Sequence, residues 1–185
     1  MGYEADYRET LGYATPQLLM VPLAIDAGIG EFRCNGRCLF PEFGTNMRLK
    51  AVMTDLPLIA DKHISFNVHE FCTICKNCAL YCPTNAISFG EPTEVPDAIF
   101  HNPGYKKWYV QADRCLTFFA MNRKKWLNCG GRCIAVCPRN KPLNIFHNTI
   151  RWAAIHAPVN TKKILVWADR FAYQRKKVIK TQVTI

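Results

Sequence analysis

Four cysteines fall within eleven residues, Cys72, Cys75, Cys78 and Cys82, and Pro83 follows the last of them. Thiols two or three residues apart in one loop cannot all reach good disulfide geometry with distant partners, but they can converge on one small object. The spacing C-x2-C-x2-C-x3-C-P is the bacterial-type pattern for two [4Fe–4S] clusters, in which the fourth cysteine ligates the other cluster. That crossing demands a second set downstream. Cys129, Cys133 and Cys137 supply it, again with a proline, Pro138, after the last, and Cys115 lies fourteen positions before Cys129. The crossing rule assigns Cys72, Cys75, Cys78 and Cys137 to one cluster, and Cys115, Cys129, Cys133 and Cys82 to the other. Structural zinc also accepts four thiolates and is the alternative, although its sites usually use two separated C-x2-C pairs. No C-x2-C-H is present, so attached c-type haem has no support.

The surrounding chain must bring these thiols together. The stretch TFFAMNRKKWLN, between Cys115 and Cys129, is expected to loop out so that Cys115 returns to its cluster, and Gly130-Gly131 to absorb the extra residue before Cys133. Each proline lacks an amide hydrogen and has a fixed φ, so the turn leaves the cluster without starting a regular helix too early. Phe71, Ile74, Ala79, Leu80, Ile134, Ala135 and Val136 are expected to exclude water, and amide-to-sulfur hydrogen bonds to tune the potential. Two thiols remain, Cys34 and Cys38, in GEFRCNGRCLF. They read as a disulfide, as half a metal site completed by His63 and His69, or as two buried free cysteines; an intracellular protein favours the last. Lone histidines are more often packing or surface residues than ligands.

The rest of the composition is ordinary. Of 185 residues, 49% are hydrophobic and 21% charged, which excludes a disordered tail or a fibrous repeat and allows one domain with a real core. The longest apolar run, Leu18 to Ile25, contains Pro22 and is far too short to span a membrane. The start MGYEADYRET has neither a basic region nor an apolar core, so an export signal is not expected. The formal charge is +10; eight thiolates at about −8 and two oxidised cores at about +4 bring it to about +6. Lys162, Lys163, Arg170, Arg175, Lys176, Lys177 and Lys180 face Asp169 alone in the last stretch. This reads either as a docking face for an acidic redox partner, an anionic membrane surface or a larger assembly, or as a solvated helix face. No groove-reading motif accompanies the charge, so nucleic-acid binding is not expected.

Leu18 to Ala27 reads as a buried strand or a short helix, Arg48 to Thr54 as a strand, and Phe89 to Lys107 as loop. Thr161 to Tyr173 has helical spacing, with Thr161 as N-cap and its Trp167 and Phe171 face expected on the core. Val178 to Ile185 alternates weakly, as an edge strand would.

The segments AIDAGIGEFRCNGRCLFPEFG, TDLPL (Thr54 to Leu58), EFCTICKNCALYCPTNAISFGEPT, NPGYKKWYV (Asn102 to Val110) and WLNCGGRCIAVCPRNK together resemble the C-terminal part of corrinoid-dependent reductive dehalogenases. The resemblance covers about residues 11 to 173. It implies a cobalamin held in a nitroreductase-like domain, which attacks an organohalide, and two [4Fe–4S] clusters that deliver single electrons to the cobalt. Epoxyqueuosine reductase has a similar layout, but EFCTIC and PEFG fit the dehalogenase side better. The family's upstream segment, with most of the corrinoid pocket and the proton-donating tyrosine, is expected to be missing, and Tyr13 does not take that role. Arg33 stands where the family has glycine, Cys34 where it has arginine, and Arg37-Cys38 where it has aliphatics. Arg48 falls in a stretch that lines the corrinoid pocket in the family.

The expected fold is α+β: residues 1–65 a remnant of the nitroreductase-like corrinoid domain, 66–147 a ferredoxin-like core with two [4Fe–4S] clusters, and 148–185 a basic helical extension. The expected function is electron transfer, as a carrier or a subunit of a larger redox complex. The alternatives are a fragment or split half of a dehalogenase, with a corrinoid bound only when a partner or the missing segment completes the pocket, and a structural subunit whose clusters never turn over. Oxygen-labile clusters and the absence of an export signal point to the cytoplasm or the cytoplasmic face of the inner membrane.

Overall fold

A computed structural model describes residues 2–8, 19–99, 101–122 and 131–174. Tyr13, Cys129, Gly130, the basic residues from Arg175 on and the stretch Val178 to Ile185 lie outside the described residues.

The N-terminal part is built from short pieces. Strand β1 (Ala5–Arg8) pairs antiparallel with a later strand, Ala51–Thr54, in the register Ala5↔Thr54 to Arg8↔Ala51. The strand foreseen from Arg48 is thus real but begins only at Ala51. The ambiguous run after Leu18 resolves as helix α1 (Met20–Asp26). Pro22 sits in its first turn, where a backbone N–H has no intrahelical acceptor to lose. Strands β2 (Glu31–Phe32) and β3 (Cys38–Leu39) form a tight antiparallel hairpin; the Ala51–Thr54 strand is β4. Ala24 and Ile25 of α1 pack on Phe32, Cys38 and Phe40 to make a small core of their own.

The hairpin is tied to the next element by Glu31. Its buried carboxylate accepts from the backbone N–H groups of Phe66 and Val68, at 3.2 and 3.1 Å. These donors open helix α2 (Val68–Cys75), and a negative charge there complements the helix dipole. Helix α3 (Asn77–Leu80) follows after one left-handed residue, Lys76 at φ 45°. The main core gathers Cys34, Leu39, Val68, Cys72, Cys78, Ala79 and Trp108. The stretch 89–107 is loop, closed across itself by the isolated bridge Thr93↔Lys107, with Ile87↔Val110 just outside it. Helix α4 (Ala112–Asn122) then carries Cys115. The insertion expected to loop out therefore starts as helix, because 112–122 contain neither Gly nor Pro to break it. Helix α5 (Arg132–Ala135) and a 3-10 turn (Pro138–Asn140) follow.

Two helices close the described chain: α6 (Ile145–His156), capped by the Asn144 side chain accepting from the His147 N–H, and α7 (Val159–Asp169), which runs on as a π-helical turn, Arg170–Gln174. Helix α7 departs from its expected form in two ways. Helix α7 begins at Val159 with Pro158 at its cap, so Thr161 lies inside it. Its buried face is Lys162 and Val166, while Trp167 (66% exposed) and Phe171 (56%) stack on each other outside. The rotation follows from a 2.7 Å ion pair between buried Lys162 and Glu70 of α2, which turns the i, i+4 row of Lys162 and Val166 inward. No helix among the described residues is long and apolar enough to cross a membrane.

Candidate metal centres

Cys72 and Cys75 lie on α2, Cys78 on α3, and Cys137 at the N-cap of the 3-10 turn. An unbroken helix would carry position 78 away from 72 and 75. The left-handed Lys76 turns the chain back, and all four sulfurs line one cavity, together with Arg33, Cys34, Leu39, Phe71, Lys76, Asn77 and Arg139. None of the four cysteines is more than 6% exposed. Arg170 braces the turn: its Nη2 donates to the Cys75 carbonyl and its Nε to Asn77 Oδ1, both at 2.7 Å.

The electrostatics are those of thiols prepared for metal. Burial pushes the Cys72 thiol up to about 12 against the pull of Arg33, and burial, then Cys137, holds Cys75 well above its ordinary value. A hydrogen bond between Cys34 and Cys78 lowers Cys78 against the effect of its burial, whereas for Cys34 the bond and then burial both act upward. A dry shell that disfavours bare thiolates favours them once iron takes up the charge. The Arg139 N–H donates to Cys137 Sγ at 3.3 Å, as amide-to-sulfur bonding around a cluster requires.

The second set repeats the local geometry. Gly131, at φ 66°, stands before α5 as Lys76 stands before α3; Cys133 is the second residue of α5 as Cys78 is of α3. Cys82 accepts from the Ala86 N–H at 3.3 Å, as Cys137 does from Arg139. Helix α3 packs against α5, and Cys82 and Cys133 rest on the core that holds Cys72 and Cys78. Cys115 is half-buried on α4, and Cys129 lies outside the described residues.

Among the described residues, no group of three or more His, Cys, Asp or Glu side chains is arranged to hold a metal ion. The donors fit an iron–sulfur cluster better: four buried thiols around a cavity, amides aimed at sulfur, and buried guanidinium N–H groups on Arg33 and Arg139 with no hydrogen-bond partner.

Other foreseen residues are placed as follows. Cys34 and Cys38 are both buried and unbridged; Cys34 lines the cavity, whereas Cys38 packs in the α1 core. His63 is exposed and His69 lies against the Trp108 ring. Arg48 is exposed, just before β4. Of the dry shell, Phe71 and Ala79 are buried and Ile74, Ile134 and Val136 half-buried, but Leu80 and Ala135 are exposed on the outer faces of α3 and α5. Lys162 and Arg170, read from the sequence as part of a basic surface, point into the molecule instead. Arg139 was missed altogether. Arg33 was visible only as a departure from the family pattern, and nothing local marked its role.

A family model, the 4Fe-4S dicluster domain, matches residues 71–141. The tetrachloroethene reductive dehalogenase of Sulfurospirillum multivorans is 35% identical over 162 residues, covering 86% of this chain and 31% of that protein. The solved catabolic reductive dehalogenase NpRdhA superposes with a TM-score of 0.78 at 28% identity, covering 92% of this chain and 23% of that one. A second reductive dehalogenase structure, described as suggesting a mechanism for B12-dependent dehalogenation, gives 0.74 at 26% identity. The chain therefore spans about a third or less of the length of these relatives. It carries a ferredoxin-like 4Fe-4S dicluster domain in a mixed helix and sheet fold and is a homologue of reductive dehalogenases over their iron–sulfur region.

Proposed function

We propose that the protein relays single electrons through two [4Fe–4S] clusters, as a carrier or as a subunit of a larger redox complex. The observation that carries this reading is the cavity ringed by Cys72, Cys75, Cys78 and Cys137, which joins two distant motifs around one buried point. Cys115, Cys129, Cys133 and Cys82 are assigned to the second cluster on the crossing rule and on the repeated turn geometry. Bound clusters supply one-electron chemistry. The chain's own residues do the rest. Thiolates hold the iron, Phe71, Ala79 and Leu39 keep water out, and the Arg139 and Ala86 amides stabilise sulfur charge. The packing of α3 on α5 holds both turns on one rigid core.

The short span relative to the dehalogenases favours a second reading. Completed by a polypeptide that brings a corrinoid pocket, the same relay would feed a corrinoid that removes halide from organohalides, with exposed Arg48 near that pocket. The partner in either case is a redox protein or a larger complex, met through the C-terminal cations or at an anionic membrane surface. The location assigned is the cytoplasm or the cytoplasmic face of the inner membrane.

Anaerobic purification with iron and cobalt counts separates these readings. About eight Fe per chain, no Co and signals that dithionite induces support the carrier. Cobalt held by the chain or a co-purifying polypeptide moves the assignment to the enzyme. Clusters that dithionite cannot reduce move it to a structural role, and zinc or about four Fe refutes the two-cluster relay.

A further inference from the structure

Two arginines are buried beside the first set of thiols. Arg33 is 3% exposed and Arg139 is 1% exposed, and both line the cavity with Cys72, Cys75, Cys78 and Cys137. Arg33 comes from the β2–β3 turn, and its Nη2 donates to the Cys133 carbonyl at 3.3 Å, while its Nη1 is buried without a hydrogen-bond partner. Arg139 stacks over the Phe66 ring at 5.0 Å, and its Nε, Nη1 and Nη2 are all buried without one. Among the described residues neither guanidinium forms an ion pair with a carboxylate.

Burying an uncompensated guanidinium costs several kcal/mol, so two in one cavity require an anion there. Orphaned buried N–H groups likewise require acceptors. The sulfurs meet both demands. A [4Fe–4S] core with four thiolates carries about −2, and one electron takes it to about −3 with no proton required. Cations and N–H donors at its sulfurs stabilise the reduced form more than the oxidised one. Among the described residues near the second set, Arg132 is half-buried and Arg114 exposed, and Arg33 donates to the Cys133 carbonyl.

We infer that Arg33 and Arg139 are the counter-ions and hydrogen-bond donors of the first cluster and raise its reduction potential. Both are positioning residues that act on the cluster's sulfurs. This rests on the two-cluster reading above, and the experiment distinguishes the two failures.

The test is an EPR-monitored redox titration of the full, anaerobically loaded chain with dithionite, comparing the unmodified protein with Arg33→Gln and Arg139→Gln. Iron content is measured on each sample. The expected result is about eight Fe and a downward shift of one and the same signal in both variants. The shift should be at least a tenfold loss in its reduction constant, about 59 mV for one electron. Intact iron with unmoved signals, or with the two variants moving different signals, overturns the inference alone. Fewer than about eight Fe in the unmodified protein overturns the two-cluster reading and the inference with it. Should the Gln variants lose iron, Arg33→Lys and Arg139→Lys decide. They keep the charge but lose the planar fork of donors, so the same signal must still move downward, and an unmoved one overturns the inference.

Discussion

Cys72, Cys75, Cys78 and Cys137 are sealed in a cavity with two buried arginines, whereas Cys82, Cys115 and Cys133 are only half-buried. The local chain is nearly the same in both places: a left-handed residue, a one-turn helix with the cysteine second, then cysteine and proline. What differs is what lies over each turn. The first is covered by the β2–β3 hairpin on one side and clamped by Arg170 at its carbonyl and by the Lys162–Glu70 pair on the other. The second shares the core of the first through Cys82 and Cys133, and Cys115 on α4 is half-buried. Equal motifs thus acquire unequal environments through what packs on them, and environment is what sets a cluster's potential and lability.

The largest expected effect tests whether the two regions are separate centres at all. Cys78→Ala and Cys137→Ala should each halve the iron, from about eight to about four per chain, and remove the same EPR signal. Cys133→Ala and Cys82→Ala should remove the other. Spectra in which Cys78→Ala and Cys137→Ala abolish different signals would break the crossed assignment and the comparison with it.

Next in size is lability. Exposed sites lose metal to a competitor sooner, so chelation of the intact protein should release iron in two phases of about equal amplitude. Cys82→Ala should delete the fast phase and leave the slow one. A single phase would show that burial does not distinguish the two halves. Smaller still is the loss of the brace on the first half. Glu70→Gln leaves the buried Lys162 ammonium without its charged partner, which should cost about 2 kcal/mol in a denaturant titration. The slow chelation phase should also accelerate, and an unchanged slow phase would mean that α7 does not guard the first set.

The smallest effect concerns the turns themselves. Lys76 holds a left-handed conformation that costs a non-glycine residue about 1 kcal/mol, while its Nζ recovers part of this by donating to the Phe89 carbonyl at 2.7 Å and pairing with Glu91. Lys76→Gly should therefore change stability by less than about 1 kcal/mol and leave both EPR signals in place. A loss of one signal would show that the side chain, and not the backbone, shapes the turn.

The cysteine spacing and the two prolines made the dicluster domain legible in the sequence, because ligation by neighbouring thiols is a short-range constraint that leaves a short-range pattern. The departures at Arg33 and Cys34 were legible too, but only as oddities. Helix α7 shows where such reading stops: its aromatic stripe suggested a face for the core, and a lysine took that face because Glu70 waited on α2. Likewise the exposure of Leu80 and Ala135, and the convergence of Arg33 and Arg139 on one set of thiols, depend on elements far apart in the chain. Residue types and spacings determined which atoms can bind iron. Only tertiary packing decided which of them are dry, which carry positive charge beside them and which meet solvent, since burial and electrostatics are set by every element that crowds a point in space and not by the chain on either side of it.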